Sequence, residues 1–280
     1  MNIAVLSGKG GTGKTTIAVN LAVNSKNAVL IDTDVEEPNS HIFLKPHIER
    51  TYEIKKKYPV IDTVKCTLCG ECGDFCNYNA ILPAKNKVLV LKELCHDCGG
   101  CELVCSFDAI SFDKRDIGKI YSGKSQNDIP IIYGDLNVGE VSAVKIIERL
   151  REIVANEELV IIDSPPGTSC STVSAVEEVD YAIIVSEPTP FGVSDMKMVV
   201  EMLRHMKISF GVVVNKSGLG DNEIYEYCKD EGIVILEEII FDTEIAKSYA
   251  KGDILSYKIE GYSEKMSSIM NKVLESENNE

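Results

Sequence analysis

The chain has 280 residues, 44% hydrophobic and 26% charged, which leaves room for one large α/β domain and a small second one. Its formal net charge of −15 excludes nucleic acid or an anionic membrane as the main partner, since both demand basic surface. No apolar run reaches the roughly 18 residues of a transmembrane helix, so no membrane insertion is expected.

In chain order, Asn2–Leu6 is an apolar run ending in a glycine-rich turn, as a buried parallel strand does at a phosphate loop. Gly8-Lys9-Gly10-Gly11-Thr12-Gly13-Lys14-Thr15 satisfies G-x4-G-K-[ST], and Thr16 continues it. The glycines let backbone N–H groups turn toward phosphates without Cβ interference, and the following helix N-terminus adds partial positive charge. Lys14 is expected on the β- and γ-phosphates and the Thr15 hydroxyl on Mg²⁺. Thr15–Asn24 reads as a helix with Ile17, Ala18, Leu21 and Ala22 on one face, and Ala28–Ile31 as a second buried strand ending at Asp32. The polar stretch Glu49–Pro59, with Lys55-Lys56-Lys57, reads as a solvated linker. Beyond it a cysteine-rich interval interrupts the pattern.

Strands then resume at Leu159–Ile162, Tyr181–Val185, Phe210–Val214 and Ile233–Ile235, with helices around Ser142–Ala155, Ser194–Lys207 and Asp221–Glu231. This alternation predicts an α/β fold, a doubly wound and mostly parallel sheet covered on both faces. Residues 1–59 and 115–280 would form this discontinuous domain, and 60–114 an insert.

The insert holds Cys66, Cys69, Cys72 and Cys76, then Cys95, Cys98, Cys101 and Cys105, the pattern C-x2-C-x2-C-x3-C twice. Asn77-Tyr78-Asn79-Ala80-Ile81 also parallels Ser106-Phe107-Asp108-Ala109-Ile110, so one unit is repeated. MNIAVL leads straight into the glycine loop without a leader pattern, so a reducing, cytoplasmic setting and metal-ligating thiols are expected. The spacing resembles the two-cluster bacterial ferredoxin, an α+β module in which the fourth cysteine of each run ligates the other [4Fe–4S] cluster. Cys66, Cys69, Cys72 and Cys105 then form one ligand set, and Cys95, Cys98, Cys101 and Cys76 the other. Zinc is the alternative occupant, although its sites usually pair two C-x2–4-C knuckles. The proline that usually follows the fourth cysteine is Asn77 in one half and Ser106 in the other.

Lys9 within the P-loop resembles the deviant motif of the MinD/ParA/Mrp superfamily of P-loop ATPases, which includes the nitrogenase iron protein. The resemblance implies a nucleotide-sandwich dimer, a homodimer or a heterodimer with a paralogue, in which Lys9 reaches the partner's ATP. It implies that Asp32 to Asn39 is the first switch, in which Asp34 positions the attacking water and Asp32 organises Lys14 and Mg²⁺, and that Asp163 holds Mg²⁺ through water. Ser164-Pro165-Pro166-Gly167 is similar to the second switch of Mrp-type members, with Gly167 donating to the γ-phosphate. Asn215 matches the adenine-reading position, and Phe241-Asp242 the loop that closes over the base.

The whole chain thus resembles MinD-superfamily ATPases with an inserted ferredoxin domain, which implies Mg²⁺-dependent hydrolysis of ATP to ADP. The reading placed first is ATP-gated electron transfer through two [4Fe–4S] clusters to a redox partner. The alternative is an Mrp-like ATPase for cluster or metallocofactor assembly and carriage. Cys170 lies where the iron protein bridges a cluster between subunits, but its second bridging cysteine has no counterpart, so it reads as a small switch residue. Cys228 reads as a core thiol. Met198, Met202 and Met206 read as core, His96 as an exposed loop residue, and Met266–Leu274 as a helix packed on the sheet. The acidic end Glu275–Glu280 is expected to fray.

Overall fold

The computed structural model describes residues 1–277. Strand β1 (Asn2–Leu6) enters the P-loop, helix α1 (Lys14–Asn24) leaves it, and β2 (Ala28–Asp32) returns beside them. A short helix α2 (Ser40–Leu44) leads into the long strand β3 (His47–Ile61). The cysteine segment contains α3 (Glu71–Phe75), β4 (Ile81–Pro83), β5 (Val88–Val90) and α4 (Gly100–Leu103). β6 (Ile110–Lys124) and β7 (Pro130–Leu136) bring the chain back. Next come α5 (Val144–Val154), β8 (Leu159–Asp163), α6 (Cys170–Val176) and β9 (Tyr181–Ser186). α7 (Pro190–Met206), β10 (Ser209–Ser217), α8 (Glu223–Asp230) and β11 (Ile235–Ile240) continue the alternation, and α9 (Thr243–Ala250) and α10 (Tyr262–Glu277) end it.

The main sheet runs β11-β10-β9-β1-β8-β2-β7-β6-β3. From β11 to β7 every pairing is parallel, whereas β6 and β3 add on antiparallel. Period-2 alternation in the central strands feeds both faces: Ala4 and Leu6 join the core under α5–α8, while Ile3 and Val5 join the core under α1, α2 and α10. On α10, Met266, Ile269, Met270 and Val273 are buried there as expected, and the helix continues through Glu275 to Glu277 instead of fraying at Glu275. The rest of the expected frayed end, residues 278–280, lies outside the described residues. The methionine stripe on α7 is only half core: Met202 and Met206 pack against it, but Met198 is exposed, and Met196 is the methionine that is fully buried. Among the described residues no helix is long and apolar enough to cross a membrane.

The expected linker at Glu49–Pro59 is instead the greater part of β3. Tyr52, Ile54, Lys56 and Tyr58 alternate with exposed Thr51, Glu53, Lys55 and Lys57, and the strand pairs with β6 from His47↔Lys124 to Ile61↔Ile110. β6 pairs with β7 only from Gly118 to Lys124. Residues 110–117 therefore run past the last pairing with β7, at Leu136. That is the C-terminal edge of the parallel strands, where the P-loop also lies. With β3 they make a two-stranded ribbon of roughly 25 Å contour length. A register shift beside Ile54 marks its departure, and Asn137 N–H satisfies the freed Ile117 carbonyl at 2.9 Å. Gly118 is required there, since a Cβ would lie 2.3 Å from the Asp135 carbonyl oxygen.

Candidate nucleotide site and cysteine module

The P-loop is shaped for an anion. Gly11 and Gly13 have φ of 80° and 98°, and added Cβ atoms at Gly10 and Gly11 would meet nothing within 4 Å, so this stretch faces open space. No side chain caps the first turn of α1, which leaves its N–H groups for a ligand. The Thr12 hydroxyl is buried without a partner. A bound phosphate chain would meet these unsatisfied donors.

Behind the loop, three acids from two strand ends converge on one lysine. Lys14, 7% exposed, donates to Asp163 Oδ1 at 2.8 Å and lies 3.9 Å from Asp34 Oδ2. Asp163 is fully buried, and its Oδ2 accepts from the Ser40 hydroxyl at 3.2 Å. Asp32, also fully buried, accepts backbone N–H bonds from Asp34, Asn39 and Ser40 and so fixes the first switch. Burial, and then Asp163, pushes the Asp32 carboxyl up. Burial works against the charge on Lys14, but Asp163, Asp32 and Asp34 together outweigh it and raise its pKa. Thr15, the expected Mg²⁺ ligand, takes the second position of α1, and Thr16 beside it is buried.

Asp34 is raised to about 6, chiefly by burial, with Lys14 pulling it down and Asp163, Glu36 and Glu37 pushing it up. A carboxyl raised on folding stabilises below its unfolded pKa, and this stabilisation is lost as pH rises through the folded value. The nucleotide-free protein should therefore lose stability between pH 3.8 and about 6. At neutral pH, Asp34→Asn should melt higher than wild type while losing hydrolysis. An equal or lower melting midpoint in circular dichroism would contradict this.

Lys9 pairs within its own chain, with Glu187 just past β9. Glu187 also accepts from Lys216 at 3.1 Å, and Lys216 donates to the Gly11 carbonyl at 2.9 Å. Burial pushes the Glu187 carboxyl up, but the bonds from Lys9 and Lys216 hold it below its ordinary value. A reach into a partner thus requires Lys9 to leave Glu187. Glu187→Gln should therefore strengthen ATP-dependent dimerisation several-fold in analytical ultracentrifugation, and an unchanged dimer constant would rule the restraint out.

Of the remaining expected residues, Gly167 and Asn215 bond to the loop or its flank, and the others are engaged elsewhere. Gly8 packs against Asp195, which a Cβ would meet at 2.4 Å. Gly167 N–H donates to the Ser7 carbonyl at 2.8 Å instead of facing the phosphate position. Asn215 Nδ2 donates to the Thr12 carbonyl at 2.7 Å, supporting the P-loop from below. Phe241 is exposed beside Ser217, and Asp242 caps α9 through Glu244 N–H at 2.8 Å. Cys170 is exposed at the start of α6, and Cys228 is 1% exposed, its thiol pushed up to about 11 by burial.

The cysteine segment is a conformational as well as a sequence repeat. Positive φ recurs at Leu68 and Asp97, Gly70 and Gly99, and Asn79 and Asp108. Leu91 N–H donates to the Ala80 carbonyl and Asp62 N–H to the Ala109 carbonyl, both at 2.8 Å. The pairing Ile81↔Val90 has its counterpart in Ile110↔Ile61. One cavity is lined by Cys66, Cys69, Cys72 and Cys105, the other by Cys95, Cys98, Cys101 and Cys76. Three thiols of each come from one repeat and the fourth from the other. Among the described residues no three His, Cys, Asp or Glu side chains converge tightly enough for a single metal ion. The thiols stand around the walls of a void, which suits a polynuclear cluster with one ligand per metal. The module's own core is little more than Ile81, Cys101 and Ile110, with Ile61, Val88 and Phe112 against it. So small a core ordinarily needs a metal or disulfides to fold.

The CobQ/CobB/MinD/ParA nucleotide-binding domain family matches residues 3–255. The chain belongs to that family. MJ0578 and MJ0579 of Methanocaldococcus jannaschii, two proteins with no assigned function, are 36% and 32% identical to it. They match over 98% and 90% of this chain and 97% and 90% of their own. An iron-sulfur cluster carrier protein of Aquifex aeolicus is 23% identical over 90% of this chain, which spans 60% of that carrier. Among solved structures, MinD of Pyrococcus horikoshii with Mg-ADP superposes with a TM-score of 0.60 at 18% identity, covering 97% of this chain and 95% of MinD. The chain and its mostly parallel sheet are thus of the MinD/ParA/Mrp superfamily.

In this MinD/ParA-type chain the cysteine module leans back on the nucleotide-binding body. Lys145 on α5 pairs with Asp97, which also accepts from Lys57 N–H at 3.1 Å. Arg115 on the ribbon holds Glu140 with both guanidinium arms, one at 2.8 Å. Glu140 follows β7, and Leu136 at the end of β7 donates to the Val35 carbonyl in the first switch at 2.8 Å. The first switch and the module are thus joined by contacts through the β7–α5 loop as well as by the chain itself. Glu187, Ser40 and Glu140 have no sequence signal, because each gains its role from a contact distant in sequence.

Proposed function

We propose that this chain is an ATPase that handles iron–sulfur clusters. It would hold two [4Fe–4S] clusters in the cysteine module and use ATP hydrolysis to control their delivery to a client protein. The observation that carries the reading is the pair of crossed four-thiol cavities, docked on a switch-bearing nucleotide site. The names of the relatives favour carriage over the gated electron transfer that the sequence places first: besides the Aquifex carrier, a cytosolic Fe-S cluster assembly factor NUBP2 homolog of Dictyostelium discoideum is 28% identical.

A bound cluster is either the cargo or a one-electron store; everything else falls to the chain's own residues. Lys14 exchanges Asp163 for the nucleotide phosphates, freeing Asp163 to hold Mg²⁺ together with Thr15. Asp34 then orients the attacking water, and Lys9, released from Glu187, completes the charge around the phosphates of a partner chain. The partner is a second copy or a paralogue. The first switch moves as Asp32, Asn39 and Ser40 rearrange, and Val35 passes the change to the β7–α5 loop and the module.

One observation favours the second reading, electron transfer to a redox partner: each cavity has four cysteines, so no iron is left open for a client thiol. Anaerobic mixing of the reconstituted protein with an apo-ferredoxin, with and without ATP, separates the two. Transfer within minutes that ATP accelerates supports delivery. Clusters that stay bound while ATP changes the rate of acceptor reduction support electron transfer and refute delivery.

A further inference from the structure

Lys56 is the residue of the ribbon least like its neighbours. It is 3% exposed, and its ammonium has no hydrogen-bond partner. The acids around it are already engaged: Asp97 with Lys145 and Lys57 N–H, Glu140 with Arg115. Arg115 adds a like charge, so of the acidic groups that act on Lys56 the thiol of Cys95 is the one without a charge partner. That thiol donates to the Lys57 carbonyl at 3.7 Å and accepts from Asp97 N–H at 3.5 Å, so the Lys56 stretch of β3 forms the floor beside it. A buried ammonium with no anion is unfavourable, and folds seldom keep one without a ligand to neutralise it.

Among the described residues the only buried lysines or arginines are Lys14 and Lys56, so the other cavity has no such cation. The repeat that relates Cys66 to Cys95 and Ile61 to Val90 relates Lys56 to Lys85, which is exposed in the turn between β4 and β5.

We propose that Lys56 is the internal counter-charge of the cluster ligated by Cys76, Cys95, Cys98 and Cys101, and that it makes the two sites unequal. The inference rests on the cluster reading above. A [4Fe–4S] core with four thiolates is anionic, and reduction adds one electron from an external donor with no proton taken up. Lys56 lies outside the cavity lining, on the strand whose Lys57 carbonyl meets Cys95; a fixed cation there favours the more negative state, so this cluster is reduced first. Lys56 acts through the ligand set as a tuning residue and touches no nucleotide.

The test uses the full chain, anaerobically reconstituted and analysed for iron and sulfide, then titrated with dithionite under electron paramagnetic resonance. Wild type should show two one-electron couples. Lys56→Met should move one couple to lower potential and leave the other in place, and Lys56→Arg should restore it. Two unmoved couples, or two that move together, overturn the proposal. Failure of the wild type to take up iron and sulfide overturns the cluster reading itself.

Discussion

Lys14→Ala should abolish nucleotide hydrolysis and weaken the fold before any nucleotide is added. The first effect follows from losing the cation on the β- and γ-phosphates; one such electrostatic contact contributes about 100- to 1000-fold in rate. The second follows from the resting site, where Lys14 neutralises the fully buried Asp163 at 2.8 Å. Removing one partner of a buried pair leaves an uncompensated charge and costs about 3–5 kcal/mol. For a chain of this size the melting point should fall on the order of 10 °C. Adding Asp163→Asn to Lys14→Met removes the stranded charge, so the double variant should regain most of the stability and none of the activity. A Lys14→Ala protein that melts like wild type would show that Ser40 and the surrounding backbone already neutralise Asp163.

Cys105→Ala should empty a site whose other ligands lie in the opposite sequence repeat. Its thiol lines the cavity of Cys66, Cys69 and Cys72, while Cys76 lines that of Cys95, Cys98 and Cys101. Iron should fall from about eight to about four atoms per chain, with the loss of one of two signals. Crossing makes a sharper claim about double variants. Cys66→Ala with Cys105→Ala should lose no more iron than either alone, whereas Cys66→Ala with Cys76→Ala should lose nearly all. Self-contained repeats demand the reverse. Cys228→Ala is the control: its thiol is buried against the main core, so it should lower stability without changing iron content.

The legible part of the fold was the part buried on both faces. β1, β2, β8 and β9 are short uninterrupted apolar runs, and their ends follow directly from the strong contrast with the turns beside them. β3 and most of β6 were opaque for the opposite reason. In the ribbon before Gly118 they are held by each other's backbone, so Lys55, Lys57, Asp113 and Lys114 remain polar and imitate a linker. The grouping of the eight cysteines around two cavities was legible because their spacing repeats within a few residues. The restraint on Lys9 was not, since Glu187 lies 178 residues away in the chain. Lys56 was misread with its neighbours: in a run of three lysines nothing local tells which one a strand turns inward.

The meeting of Ile61 and Ile110 has a consequence for how such a protein can be rebuilt. The two ends of residues 62–109 are held one strand spacing apart, about 5 Å, whatever folds between them. A guest placed at such a point adds little closure entropy to its host. A two-residue turn in its place would leave an ordinary β-hairpin at the edge of the sheet. The cysteine segment should therefore be exchangeable: a chain that loses it, or carries another compact domain in its place, would keep every strand of the main sheet paired.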